Sequence, residues 1–136
     1  METLIVDLTP EPEKLAEPGE YKVTIVSAQL KHSMRTDSPY IALRLRVHCD
    51  EDVNDVYTNL MLPMSDSSSS SRRMYKLIFR AFCDCMGIEH DGQGVKFDVD
   101  DLVNRSGWVL LDIESGEFNG NVYERNRVAK WLPARA

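Results

Sequence analysis

The stretch Tyr40-Ile41-Ala42-Leu43-Arg44-Leu45-Arg46-Val47-His48-Cys49 alternates aliphatic residues with Arg44, Arg46 and His48. A period of two is that of a β-strand, whose successive side chains point to opposite faces. One face of this strand is therefore apolar and the other basic. Tyr40 has the parity of Arg44 and Arg46, so an aromatic ring joins the basic face.

The neighbouring segments extend the pattern in both directions. Pro18-Gly19 marks a turn into a first strand, Tyr21–Leu30. Its inward set shifts from Tyr21, Val23 and Ile25 to Ala28 and Leu30, which indicates a bulge. Lys31–Pro39 is a polar loop carrying Lys31, His32 and Arg35. After the second strand comes an acidic turn, Asp50–Asp55, and a third strand, Val56–Leu62, with Tyr57 and Asn59 on its polar side. Ser65–Ser71 reads as a flexible serine-rich linker, with Ser71 as the N-cap of a helix from Arg72 to Met86. Leu77, Ile78, Ala81, Phe82 and Cys85 recur at helical spacing, Met74 extends that stripe, and Gly87 is a natural C-cap.

Glu89–Asp101 is acidic and contains glycine, and Asp100–Val103 reads as a short helical turn. Trp108–Ile113 is a fourth strand. Ser115–Gly120 is a hairpin loop with Asn119-Gly120 as its turn signal, and Asn121–Leu132 is a fifth strand ended by Pro133. Tyr21 and Trp108 are expected in the core; Trp131 either closes the bottom of the fold or faces solvent. The order β-β-β-α-β-β within 136 residues predicts a mainly β fold, a five-stranded OB-type barrel with one α-helix between strands 3 and 4. An acidic, proline-containing N-terminal arm, residues 1–18, precedes a single domain over residues 19–133.

Composition narrows the function classes. No apolar run approaches the length needed to span a bilayer, and the N-terminus lacks the pattern of a secretory signal. The cysteines Cys49, Cys83 and Cys85 are a poor disulfide framework, which points to a reducing cytoplasm. The net charge of -6 is unevenly spread. Residues 1–20 and 84–101 are each strongly acidic, and the remaining chain is net basic. Local field governs a bound polyanion more than total charge does.

The basic and aromatic residues fall in three regions. The second strand offers Tyr40, Arg44, Arg46 and His48. The first loop offers Lys31, His32 and Arg35. The last hairpin and strand offer Phe118, Tyr123, Arg125, Arg127 and Lys130. An OB barrel brings these regions together, where cations neutralise phosphates and rings stack on bases without reading them. A solvated strand face is the plainer reading of the same alternation. Cys83-Asp84-Cys85 with His90 is not a metal site, because helix residues two apart point to different sides; Cys85 belongs to the core. Asp98, Asp100 and Asp101 invite a Mg²⁺-dependent nuclease reading, but they lie in a loop beside a helix start, where Asp is ordinary capping chemistry. No nucleophile elbow, phosphate-binding glycine loop or zinc signature is present, so neither a cofactor nor an enzymatic activity is expected.

Pro18-Gly19-Glu20-Tyr21, the strand Tyr40–Val47, the helix Leu77–Gly87 and the ending Asn126-Arg127-Val128-Ala129-Lys130-Trp131-Leu132-Pro133 together resemble small phage-encoded OB-fold single-stranded DNA-binding proteins of replication and recombination gene clusters. The resemblance covers residues 18–133. It implies sequence-tolerant binding of single-stranded DNA in the host cytoplasm, through Lys31, Arg35, Tyr40, Arg44, Arg46, Tyr57, Phe118, Tyr123, Arg125, Arg127 and Lys130. Replication or recombination proteins are then further partners, and no membrane is. Many such proteins end in an acidic tail; this chain ends in Ala134-Arg135-Ala136 and carries its acidic arm at the other end. Barrels of this type often pair by strand edges, so a homodimer is expected. The rival reading is a protein-interaction module, a phage accessory or anti-host factor, on the same scaffold.

Overall fold

The computed structural model describes residues 2–9, 14–35, 38–63 and 69–135. The strands are β1 (Gly19–His32), β2 (Pro39–His48), β3 (Val56–Met61), β4 (Ser106–Phe118) and β5 (Asn121–Trp131), with helix α1 (Ser69–Met86) between β3 and β4. A 3₁₀ turn, Val99–Leu102, precedes β4. All strand pairs are antiparallel, and the sheet runs β3-β2-β1-β4-β5.

The alternation of β2 is realised as read: Ile41, Leu43 and Leu45 are buried, while Arg44 and Arg46 are exposed. Val23 and Ile25 of β1 and Val109 and Leu111 of β4 complete the inner face. The β1–β2 register steps from Ile25↔Leu45 to Ser27↔Arg44, so a bulge falls at Val26 and re-aims the rest of β1. The backbone of Ile25 pairs with the segment after the 3₁₀ turn. Its N–H donates to the Arg105 carbonyl at 2.9 Å, and its carbonyl accepts from the Asn104 N–H at 2.7 Å.

Part of the expected helix stripe covers the inner face: Phe82 and Cys85 are buried and Ala81 is half-buried. Phe79, Phe82, Cys83 and Met86 are buried, at spacings of three and four. Met74, Leu77 and Ile78 are exposed instead. The exposed and buried positions both follow helical periodicity, so the pattern alone does not set where the buried side begins and ends. Aromatic packing does: Phe82 meets Trp131 edge-on at 5.0 Å, and Phe79 lies 5.7 Å from Phe97. Trp131 thus packs against the core. Helix α1 begins at Ser69, so Ser71 lies inside it and is not the N-cap. Ser65–Ser68 of the serine run, like Pro10 and Pro12 of the arm, lie outside the described residues.

The helix ends as Gly87 suggests. Gly87 has φ +70°, and the Ile88 N–H donates to the Cys83 carbonyl at 2.9 Å, a Schellman arrangement. Arg105 donates to the carbonyls of Met86 and Gly87 at 3.3 and 3.4 Å. The last turn sits directly on β4, where a Cβ on Gly107 would lie 2.6 Å from the Cys85 carbonyl oxygen and sulfur. Glycine is required there by close approach.

Two expectations about β4 are corrected. Trp108 faces away from the core; the Arg135 guanidinium covers its ring at 4.2 Å. Residues 115–118 are strand rather than loop, and only Asn119 and Gly120 turn the chain. Both have positive φ (51° and 81°), as a two-residue hairpin turn demands.

The outer strands β3 and β5 approach one another, but among the described residues no ladder joins them. The expected closed barrel is therefore matched in strand number, order and helix position, without closure of the sheet. Residues 14–16 tie the two margins instead. The Asn54 N–H, just before β3, donates to the Lys14 carbonyl at 2.8 Å. The buried carboxamide of Asn126 in β5 accepts from the Ala16 N–H at 2.8 Å and donates to the Ala16 carbonyl at 2.9 Å.

Asn126→Ala leaves both backbone groups of Ala16 without partners. A stability loss of about 1–3 kcal/mol is expected in urea denaturation. Gly107→Ala forces the helix off β4, and a loss of about 1–3 kcal/mol is expected by the same measurement.

Candidate nucleic-acid interface

Residues opposite one another in an antiparallel ladder share a face, so the registers place the predicted site residues directly. On β2 and β3, Arg44 stands opposite Tyr57, Ala42 opposite Asn59, and Tyr40 opposite Met61. On the β1 side, Lys31 stands opposite Tyr40 and Thr24 opposite Arg46. Tyr40, Arg44, Arg46, Tyr57, Asn59 and Lys31 thus share the outward face of the sheet. The Arg44 guanidinium lies 6.0 Å from the centre of the Tyr57 ring. His48 Nε2 is 2.7 Å from Thr24 Oγ1, and that hydroxyl is 2.6 Å from Ser106 Oγ, so a polar chain crosses β2, β1 and β4.

Asp55 organises this face. Its side chain is largely buried; Arg44 Nε donates to one carboxylate oxygen at 2.7 Å, and Arg46 Nε lies 4.0 Å from the other. The hydrogen bond to Asp55 raises the Arg44 pKa further above its ordinary value. One carboxylate thus offsets one of two guanidinium charges and fixes the direction of both. Sequence reading assigned Asp55 only to an acidic turn. The signal was available: Asp55 lies two residues before Tyr57 and so shares its parity.

A second group sits on the β4–β5 ribbon. The β1–β4 ladder ends at Gly19↔Leu111, so residues beyond Leu111 in β4 pair only with β5. Arg127 donates to both oxygens of Asp112 at 2.8 and 3.0 Å, and Arg125 donates to Glu114. Tyr123 lies flat across Gly116, where a Cβ would fall 2.3 Å from its ring. The Arg125 guanidinium is 5.6 Å from the centre of that ring. Gly116 is therefore the space that lets Tyr123 lie down on the ribbon. Phe118 is exposed near the hairpin tip, and Lys130 is exposed opposite Leu110.

The two groups remain separate: among the described residues no hydrogen bond, ion pair or ring contact joins the β2–β3 face to the ribbon. Arg35 lies in the turn after β1, exposed. Three of the predicted arginines, Arg44, Arg125 and Arg127, are already bound to carboxylates, so the basic surface is weaker than the sequence alone implies. A depression of ≈ 470 Å³ at the β2–β3 turn is lined by Arg46 and by Asp50, Glu51, Asp52 and Asp55, a set that repels phosphate.

The buried cysteines and His90 have structural roles. Cys83 and Cys85 are buried, and burial pushes both thiols up to about 11, which keeps them protonated. Cys85 donates to the Trp108 carbonyl at 3.1 Å, and His90 pairs with Asp84 at 2.7 Å. Asp98 occupies the N-cap of the 3₁₀ turn but its side chain makes no capping hydrogen bond, which corrects the capping expectation there, and Asp100 and Asp101 lie in the turn; among the described residues no group of three side chains is placed to hold a metal ion. No helix among them is long and apolar enough to cross a membrane.

A family model described as a protein of unknown function (DUF669) matches residues 9–134. A search of curated proteins found no match.

The hydrogen bond from Arg127 holds the Asp112 carboxyl below its ordinary value. A depressed carboxyl contributes stability above its unfolded pKa and loses it as pH falls through the folded one. In Arg127→Ala, the Asp112 titration followed by carboxyl NMR is expected to move up to the ordinary aspartate range. An unmoved titration would show that the bidentate pair does not persist in solution.

Proposed function

Because the chain belongs to the DUF669 family, whose description assigns no activity, we propose from its geometry that it binds single-stranded DNA without sequence preference. The observation that carries this reading is the outward face of β2 and β3, where Arg44 packs over Tyr57 with Arg46 alongside. A ring and a guanidinium held side by side suit a base and its phosphate. We read the sheet as a partly open barrel of the OB type. Its order, β3-β2-β1-β4-β5, is the one that rolls up when β5 meets β3, and its helix lies between strands 3 and 4.

In this reading the strand crosses β2 and β3. Tyr40 and Tyr57 stack on bases, and Arg44, Arg46 and Lys31 meet phosphates. Arg35 in the β1–β2 turn flanks the groove on one side. The β4–β5 ribbon flanks it on the other, with Phe118 and Tyr123 stacking and Arg125, Arg127 and Lys130 meeting phosphates. Asp55, Asp112 and Glu114 keep the guanidinium groups oriented before the ligand arrives, and each phosphate competes with a carboxylate for its arginine. Affinity is consequently modest and falls with salt. The biological setting that fits is protection of displaced strands during phage DNA replication or recombination, with proteins of those processes as partners in the host cytoplasm.

A second reading, a protein-interaction module, draws on the net charge of -6 and on the apolar residues Met74, Leu77 and Ile78 exposed on α1.

Fluorescence anisotropy with labelled oligo-dT at two salt concentrations separates the readings. Wild type is expected to bind at low salt. Arg44→Ala with Arg46→Ala is expected to bind more weakly and with a shallower salt dependence. Equal binding by the double variant removes the site from β2–β3; no binding by wild type favours the protein-interaction module.

A further inference from the structure

Two apolar surfaces of this chain lie bare, and they match. Residues 2–9 stand off the body with Leu4, Ile5, Val6 and Leu8 exposed, Ile5 at 96%. On α1, Met74, Leu77 and Ile78 are exposed at spacings of three and four, Leu77 at 62%. These three residues form a stripe turned away from the buried Phe79–Phe82–Met86 side. Contiguous apolar surface left to water marks an interaction site.

Charge says which surface belongs on which. The arm is acidic: Glu2 and Asp7 flank its apolar run, and Glu11, Glu13 and Glu17 follow in sequence. The helix is basic beside its bare stripe. Arg73, Lys76 and Arg80 are exposed one helical step from Leu77, and none has an ion-pair partner among the described residues. The first turn of α1 contains no acid. An acidic apolar segment and a basic apolar stripe are complementary in both respects.

We propose that two copies of this chain exchange their N-terminal arms, residues 2–9 of each lying along the exposed α1 stripe of the other. Within one chain Lys14 is fixed to Asn54, while Leu4, Ile5, Val6 and Leu8 and the helix residues Met74, Leu77 and Ile78 all stay exposed. Each copy carries one arm and one stripe. Reciprocal exchange about a two-fold axis therefore covers both pairs of surfaces and closes the assembly at two. The exchange stands apart from the nucleic-acid reading, because none of its residues lies on β2, β3 or the β4–β5 ribbon.

Sedimentation equilibrium of the full chain, from micromolar to hundreds of micromolar, tests this. Wild type is expected to dimerise, more weakly as salt rises. Ile5→Glu and Leu77→Glu, both at exposed positions, are each expected to weaken the dimer by about tenfold or more. Circular dichroism verifies that both variants fold. Mixing the two variants restores one intact arm–stripe pair, that of the Leu77→Glu arm on the Ile5→Glu helix, so the mixture is expected to dimerise better than either variant alone. A wild type that stays monomeric throughout overturns the exchange. So does a dimer indifferent to both substitutions, or one that mixing fails to restore. A monomer whose arm resonances shift on Leu77→Glu would place the arm on its own helix and overturn it equally.

Discussion

The structure depends on one helix covering the inner face of one sheet. Ile41, Leu43 and Leu45 of β2, Val23 and Ile25 of β1, and Val109 and Leu111 of β4 are buried together with Phe82, Cys83 and Leu102. A fully buried aliphatic or aromatic side chain contributes about 1.5–3 kcal/mol. So small a domain has a single core to draw on. The constraint acts most tightly at Gly107, where backbone meets backbone across the helix–sheet contact. Everything proposed for the outward face relies on this inward one. The arginines of β2 are presented to solvent because Ile41, Leu43 and Leu45, at the alternate positions, are held inside.

The strands were legible where their alternation was strict. The β2 segment, the bulge near Val26, the Asn119-Gly120 turn and the Gly87 cap all follow from local chemistry that acts regardless of partners. What escaped reading was decided by partners. Helix α1 is apolar around much of its girth; Phe82 and Cys85 of the expected stripe are buried, and the rings of Phe97 and Trp131 pack on the Phe79–Phe82 side, leaving Met74, Leu77 and Ile78 outside. Trp108 has the composition of a core residue and the parity of an outward one; parity prevailed, and Arg135 shields the ring. The far half of β4 is rich in serine, glycine and glutamate, poor strand formers, yet it pairs with β5 to its tip.

The candidate site was legible in its cations and not in their counter-ions. Arg44, Arg125 and Arg127 stand on the outward face as parity requires, yet each lies beside a carboxylate one strand away or across a turn. Such cross-strand pairs depend on register, which single-strand patterns do not contain. Gly116 is a similar case. Its meaning lies in Tyr123, seven positions on, whose ring occupies the room that a side chain would take.

The clasp between Ala16 and Asn126 has a temporal consequence. Its two halves are separated by 110 positions. Contacts between such distant positions bear the largest loop-closure entropy, and they become favourable only once intervening structure has shortened the path. A nascent chain exposes Lys14 and Ala16 well before Asn126. Until β5 has zipped onto β4, the early segment has no carboxamide to meet. The Ala16–Asn126 half of the seam is thus a late event in maturation, and a ribosome-stalled fragment lacking β5 would leave Ala16 unfastened.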